Sequence, residues 1–287
     1  MRRQTATTAV VALFVGLVAC AAEAEQVPRY TLRYNPAVGL KCTSRLAGVL
    51  LDAAVQGQSL GVSGDVAANM VTEVTARDDE ASTTIVRLAL SDVKASLNGR
   101  TTTPTAPSPL SVAIGRTGRM AEAKDQNAAE VTFTETGGIP ITMVAMLASA
   151  VRFPDEAVAV GDEWRSEDTC YVPGIGESPM NSRWRLVEFN GTVATITSSA
   201  SAALPDFRTR DPFASGTQMD VRAGRAYITG LKQVFDTATS RLLAAGGKLS
   251  IDAQLDMQGM TVPVTLTMSF TLKPQEQPEA SAGQAAP

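Results

Sequence analysis

The chain has 287 residues, with 29 Asp and Glu against 25 Lys and Arg and a net charge of −4. It contains no histidine, which removes Ser-His-Asp triads, Cys-His pairs and the commonest ligand of zinc, copper and haem sites. Basic residues form no stripe with interleaved aromatics, so no nucleic-acid partner is expected.

Residues 1–24 read as an export signal, with Arg2 and Arg3 before an apolar run from Ala9 to Ala19 that is too short for a membrane span. Two cuts are open. Leu17-Val18-Ala19-Cys20 fits a lipobox that makes Cys20 the lipidated first residue, and Ala22-Glu23-Ala24 fits ordinary A-x-A cleavage. Cysteine is otherwise scarce, which favours lipidation at Cys20 and a periplasmic or envelope location with a lipid anchor in the membrane. Cys42 and Cys170 then remain as a pair for an oxidising compartment. Bridged, they would close a long loop worth about 4 to 5 kcal/mol in the chain-entropy picture; the alternative is two free thiols.

A first β-rich half is expected over 27–136. MVTEVTAR and STTIVRLAL (70–77 and 82–90) flank Asp78-Asp79-Glu80, an acidic trio that reads as a solvated turn tip and not as half a cation site. Ser91-Asp92-Val93-Lys94 matches S-x-x-K, but the S-D-N and K-T-G partners of that motif are absent, so a coincidental match is expected. Residues 101–109 form a Thr and Pro loop, and 111–123 a hairpin turning at Arg116-Thr117-Gly118.

Residues 137–154 are expected to form a connecting helix. Ile141, Val144, Ala145, Ala148 and Val151 fall at helical spacing, while Met143, Met146 and Leu147 make it apolar nearly all round, as suits a core helix or a lid over a cavity. Pro140 suits its first turn and Pro154 its end.

The second β-rich half, 155–273, opens with the carboxylates Asp162, Glu163, Glu167 and Asp168. These could serve glycoside hydrolysis only if paired across a cleft. RWRLVEF and TVATITSSA (183–189 and 192–200) flank Asn190-Gly191, a strong hairpin signal. KLSIDAQLDM (248–257) and TVPVTLTMSFTL (261–272) alternate with a period of two and form a hairpin with one apolar face; Pro263 marks an edge or strand-end position. Residues 274–287 form a polar, disordered tail. Pattern-level likeness between 38–42 and 160–164, and between 50–57 and 250–259, suggests a duplication.

FPDEAVAVGDEW (153–164) carries a resemblance. Phe153, Pro154, Val160, Gly161, Asp162 and Trp164, with the turn around Asp236, resemble a family of two-repeat bacterial secreted proteins and lipoproteins of unknown function, over residues 29–273. The first half departs from that pattern, with Val38-Gly39-Leu40-Lys41 where an acidic residue would follow Gly. The general plan is also similar to envelope proteins of the LolA and LppX type, whose curved antiparallel sheet wraps helices and can hold lipid.

The expected fold is mainly β: a strongly curved antiparallel sheet, half-barrel or barrel-like, in two related halves with one central helix. Ten or so strands each offer an apolar row, and each large side chain left wet would forgo about 1.5 to 3 kcal/mol. The sheet must therefore curl on itself, pack as a sandwich, or enclose something. The expected function is that of an exported, non-enzymatic envelope protein, without cofactor or metal, that binds or shields an apolar ligand such as lipid. The alternative is a structural or protein-interaction module with a packed core. A histidine-free hydrolase would need a cleft gathering carboxylates, or Ser91 with Lys94.

Overall fold

A computed structural model describes residues 27–103, 106, 108–122, 141–172, 176–210, 218–257 and 259–275. The expected signal segment with Cys20 and Ala24, part of the Thr and Pro loop, the start of the expected helix and most of the expected C-terminal tail lie outside the described residues. In chain order the elements are β1 (Arg29–Tyr30), β2 (Lys41–Val55), β3 (Gln58–Ser59), β4 (Gly64–Asp78), β5 (Thr83–Leu97), β6 (Arg100–Thr102), β7 (Leu110–Gly115) and β8 (Met120–Glu122). There follow α1 (Ile141–Ser149), β9 (Val158–Ala159), β10 (Glu163–Val172), β11 (Gly176–Asn190), β12 (Val193–Leu204), β13 (Phe207–Arg210), β14 (Gln218–Asp236), β15 (Arg241–Met257) and β16 (Met260–Pro274).

The protein is mainly β. One 14-stranded antiparallel sheet runs β10-β11-β12-β14-β15-β16-β2-β4-β5-β7-β8, with β3, β6 and β13 paired beside this path. The strands from the two parts of the chain meet where β16 pairs with β2, from Val264 opposite Val55 to Pro274 opposite Ser44. Alternation supplies the face that curls inward: Leu46, Leu50, Val66, Ala68, Met70, Val86, Leu88, Leu90, Leu249, Met268 and Phe270 are buried, while intervening Ser, Thr and charged residues face out. The curl brings edge strands β8 and β10 within 8 Å without pairing them, so the sheet is a half-barrel and not a closed barrel.

Local irregularities follow from particular residues. In β5 the buried rhythm breaks after Leu90 and resumes at Val93. Asp92 is the extra residue of a bulge: φ is 49°, the register shifts between Ala67 and Asn69, and its carboxylate accepts from Asn69 Nδ2 at 2.7 Å. Pro263 sits inside β16, but β2 pairing starts only at Val264 and the Pro263 carbonyl already accepts from the Gln56 N–H. Its missing donor therefore falls at the end of the β2 ladder, a strand-end position.

The helix is shorter than the expected 137–154. Residues 150–154 are not helical; they leave the concave face and run to the gap between β8 and β10. The helix stops before Pro154 because a distant side chain takes over its last carbonyls: Gln233 Nε2 on β14 donates to Ala148 O at 3.0 Å and to Ala150 O at 2.8 Å.

Candidate ligand site on the concave face

Helix α1 lies in the hollow of the sheet. Ile141, Val144, Ala145, Met146, Leu147 and Ala148 are all buried, in one cluster with the inward residues of β4, β5, β7, β14, β15 and β16. A helix this apolar needs apolar atoms around it, and its described side chains other than half-buried Ser149 find them in the hollow. Gln233 is fully buried and spends both amide hydrogens on the helix end, which leaves its Oε1 without a partner. An orphaned acceptor costs about 1 to 3 kcal/mol, so the hold on α1 is imperfect.

Residues 31–40 cross one end of the hollow as a strap tied to two turns and to strand β4. Tyr34 N–H donates to Arg116 O, Asn35 N–H to Ser240 Oγ, and Gly39 N–H to Val74 O. Between strap, helix and sheet remains a cavity of about 80 Å³, with Tyr34, Leu40, Cys42, Met70, Met146 and Leu242 in its wall. Burial, and then the neighbouring Cys42 thiol, push the Tyr34 phenol well above its usual range, so it stays neutral.

A second core, of Leu32, Val151, Phe153, Val158, Trp184, Leu186, Ala194, Ile196 and Phe235, sits behind the gap between β8 and β10. Arg152 staples that gap: it is 2% exposed, pairs with Asp168 on β10 at 3.0 Å, and donates to Gly118 O in the β7–β8 turn. Phe153 N–H donates to Thr117 O. Gly118 is required at this contact, because φ is +80° and a Cβ would stand 1.8 Å from Val151 O.

The residues singled out by the V-G-D-x-W resemblance form a turn that docks β9 and β10 on this second core. Gly161 N–H donates to Leu186 O, Leu186 N–H returns a bond to Asp162 O, and Asp162 Oδ2 accepts from Ala159 N–H at 3.0 Å and pairs with Arg29 at 3.2 Å. Trp164 Nε1–H donates to Arg152 O. Asp236 is another local clamp. The Thr239 hydroxyl, more than the Ala238 and Thr239 N–H groups, draws its carboxyl below the usual range.

The remaining sequence candidates are placed as follows. Ser91 and Lys94 are exposed on either side of the Asp92 bulge. Asp162, Glu163 and Asp168, with Asp155 and Glu156, line a cleft of about 470 Å³ along the gap, where Asp162 and Asp168 are engaged by Arg29 and Arg152; Glu167 is exposed outside it. Asp78 caps its own turn by accepting from Ala81 N–H. Cys42 is a half-buried free thiol, so the expected Cys42–Cys170 bridge is not formed in this structure. The side chain of Cys170 lies outside those described, and its strand β10 ends the sheet six positions from β2. Counting cysteines carries no information about that separation. Arg152 and Gln233, which hold the site together, were not among the sequence candidates; a lone charge ending an apolar run was the available signal for Arg152.

No protein-family profile and no curated protein sequence matches the chain. Among solved structures, lipovitellin is similar over 88% of this chain at 10% identity and a TM-score of 0.45; this chain spans only 27% of it. DynF from the dynemicin biosynthesis pathway of Micromonospora chersina is similar over 88% of each chain at 12% identity and a TM-score of 0.27. An outer membrane channel from Pseudomonas putida F1 is similar over 84% of this chain and 97% of its own, at 10% identity and a TM-score of 0.23.

Proposed function

We propose that this is an exported, non-enzymatic protein of the cell envelope, lipidated at Cys20, whose curved sheet receives an apolar ligand such as an acyl chain in the place held by α1. One observation carries the reading: the only α-helix among the described residues is a nine-residue apolar segment lying in the hollow of an open sheet, held at its end by Gln233. An acyl chain offers the same apolar surface as α1 without carbonyls to satisfy, so exchange keeps the sheet face covered. The gap between β8 and β10, closed by side chains and loop segments and not by a strand ladder, supplies a route.

The reading without catalysis rests on the engagement of Asp162 and Asp168 with arginines and on the exposed, bulged setting of Ser91 and Lys94. A second reading, a packed interaction module, is favoured by the size of the remaining cavity. At about 80 Å³ it falls well short of the roughly 300 Å³ at which small-molecule sites begin.

Solvent extraction of protein purified without detergent, followed by mass spectrometry, separates the two. Ligand binding predicts a stoichiometric lipid and renewed uptake of a fluorescent fatty acid by the stripped protein. Absence of both assigns the packed module.

A further inference from the structure

The outer face of the sheet carries a charge pattern that neither the hollow nor the gap uses. Across the strands from β11, Arg185 stands opposite Thr197, Thr197 opposite Lys232, Lys232 opposite Gly246 and Gly246 opposite Thr271. In the neighbouring row Arg183 stands opposite Ser199, and Thr229 opposite Lys248, which in turn faces Ser269. Arg183, Arg185, Lys232 and Lys248 are exposed, and no carboxylate interrupts either row from β11 to β16. The acids lie around its margin: Glu163 and Glu167 flank Arg165 on β10, Glu188 stands opposite Thr195 near the end of β11, and Asp252 stands opposite Arg225. None of the four cations makes an ion pair among the described residues. Arg183 is also directly opposite Arg165, a like-charge pair that costs stability on a sheet and that an anion lying over both relieves.

We infer that this outer face, from β11 to β15, docks on an anionic lipid surface, its cations taking the phosphates of the head groups. Four cations within three strand spacings, about 14 Å, meet the head groups of a few neighbouring lipids, and the small Ser, Thr and Gly side chains between them leave the cations standing proud and add hydroxyl donors. A groove of about 520 Å³ on this face, with Arg165, Glu167, Arg183, Ser199, Tyr227 and Thr229 in its wall, gives a head group room. The attraction is local, because the chain as a whole has a net charge of −4 and would be repelled by such a surface if its charge acted as one. Position agrees. Arg29 pairs with Ala159 and reaches Asp162 at 3.2 Å, and the next residue, Glu163, stands opposite Arg185. Cys20 is nine positions before Arg29, a reach of at most about 30 Å, so an acyl anchor on Cys20 holds this face near the membrane. That step rests on the lipidation proposed above; the charge pattern does not. Docking in this way brings β10, one lip of the gap, to the surface from which an acyl chain enters.

The exported Cys20→Ser protein, which carries no acyl anchor, is sedimented with vesicles of phosphatidylcholine alone or with equal parts of phosphatidylglycerol. Binding to the mixed vesicles only, weakened by raised salt, is expected. Arg183→Gln, Arg185→Gln and Lys232→Gln together are expected to weaken it about 100-fold. Lys41→Gln, Arg87→Gln and Arg100→Gln together, an equal loss of charge at exposed positions on β2, β5 and β6, are expected to leave it unchanged. Circular dichroism checks that each variant is folded. The inference is overturned if the protein shows no preference for the anionic vesicles, if the β11 and β14 variant binds like its parent, or if the distant variant loses as much. Uptake of inositol hexakisphosphate without vesicle binding also overturns it, in favour of a soluble phosphate ligand. Sedimentation is read on solvent-stripped and unstripped protein alike, so failure of this docking and failure of acyl-chain binding in the hollow are told apart.

Discussion

Replacing Gly118 with alanine tests the staple between β8 and β10. Gly118 and Gly57 share a positive φ, +80° and +75°, but a Cβ at Gly57 meets nothing within 4 Å whereas one at Gly118 stands 1.8 Å from Val151 O and 2.9 Å from the Val151 carbonyl carbon. Gly57→Ala therefore isolates the left-handed backbone penalty, about 1 to 2 kcal/mol. Gly118→Ala carries the same penalty and must also push the Val151–Phe153 backbone away. That movement breaks the bonds from Phe153 N–H to Thr117 O and from Arg152 to Gly118 O, each worth about 1 kcal/mol net. It also loosens the Arg152 contact with Asp168. The expected loss is about 4 kcal/mol, at least about 2 kcal/mol more than for Gly57→Ala. Urea unfolding followed by tryptophan fluorescence reads this directly, because Trp164 and Trp184 both pack at the second core. Equal midpoint shifts for the two variants would refute the staple.

Three further outcomes follow. Gln233→Leu removes the donor to Ala148 O and Ala150 O, and is expected to lower stability by about 1 to 3 kcal/mol and to speed amide exchange in α1 more than elsewhere; uniform exchange would contradict the capping role. The Asp236 carboxyl is drawn below its usual range in the folded state, so its contribution is present above the ordinary carboxylate range and is lost as pH falls through the lowered folded value. Asp236→Ala should flatten that part of the acid unfolding curve, by a small amount because the group is exposed; an unchanged acid limb would contradict the assignment. The Tyr34 phenol titrates above its usual range when folded, so stability should hold below pH about 10 and fall as pH rises through and beyond it. Tyr34→Phe should remove that alkaline decline, which is read by denaturant midpoints across pH.

What was legible in the chain was local. The strands of 248–272 announce themselves by a period of two, and Asn190-Gly191 and Arg116-Thr117-Gly118 by turn chemistry, since each signal lies within a few residues of its effect. The C-terminal limit of α1 was not legible, because Gln233 reaches it from 85 and 83 residues away while the apolar spacing continues through Val151. The strap was hidden for the same reason: Tyr34 and Asn35 find their partners at Arg116 and Ser240. The V-G-D-x-W residues stood out by resemblance, yet their work as a turn clamp depends on Leu186 and Arg152, which no local pattern connects to them. S-x-x-K, expected to be a coincidental match, is spread over a bulge whose extra residue spaces Ser91 from Lys94.

The central claim is that α1 and an apolar ligand compete for one face of the sheet. Hydrogen exchange of residues 141–149 in the lipid-stripped protein, with and without a saturating long-chain fatty acid, tests it most directly. Displacement predicts that these amides exchange faster when the ligand is present while those of β15 and β16 stay protected. Unchanged or slower exchange in α1 at saturation would contradict it.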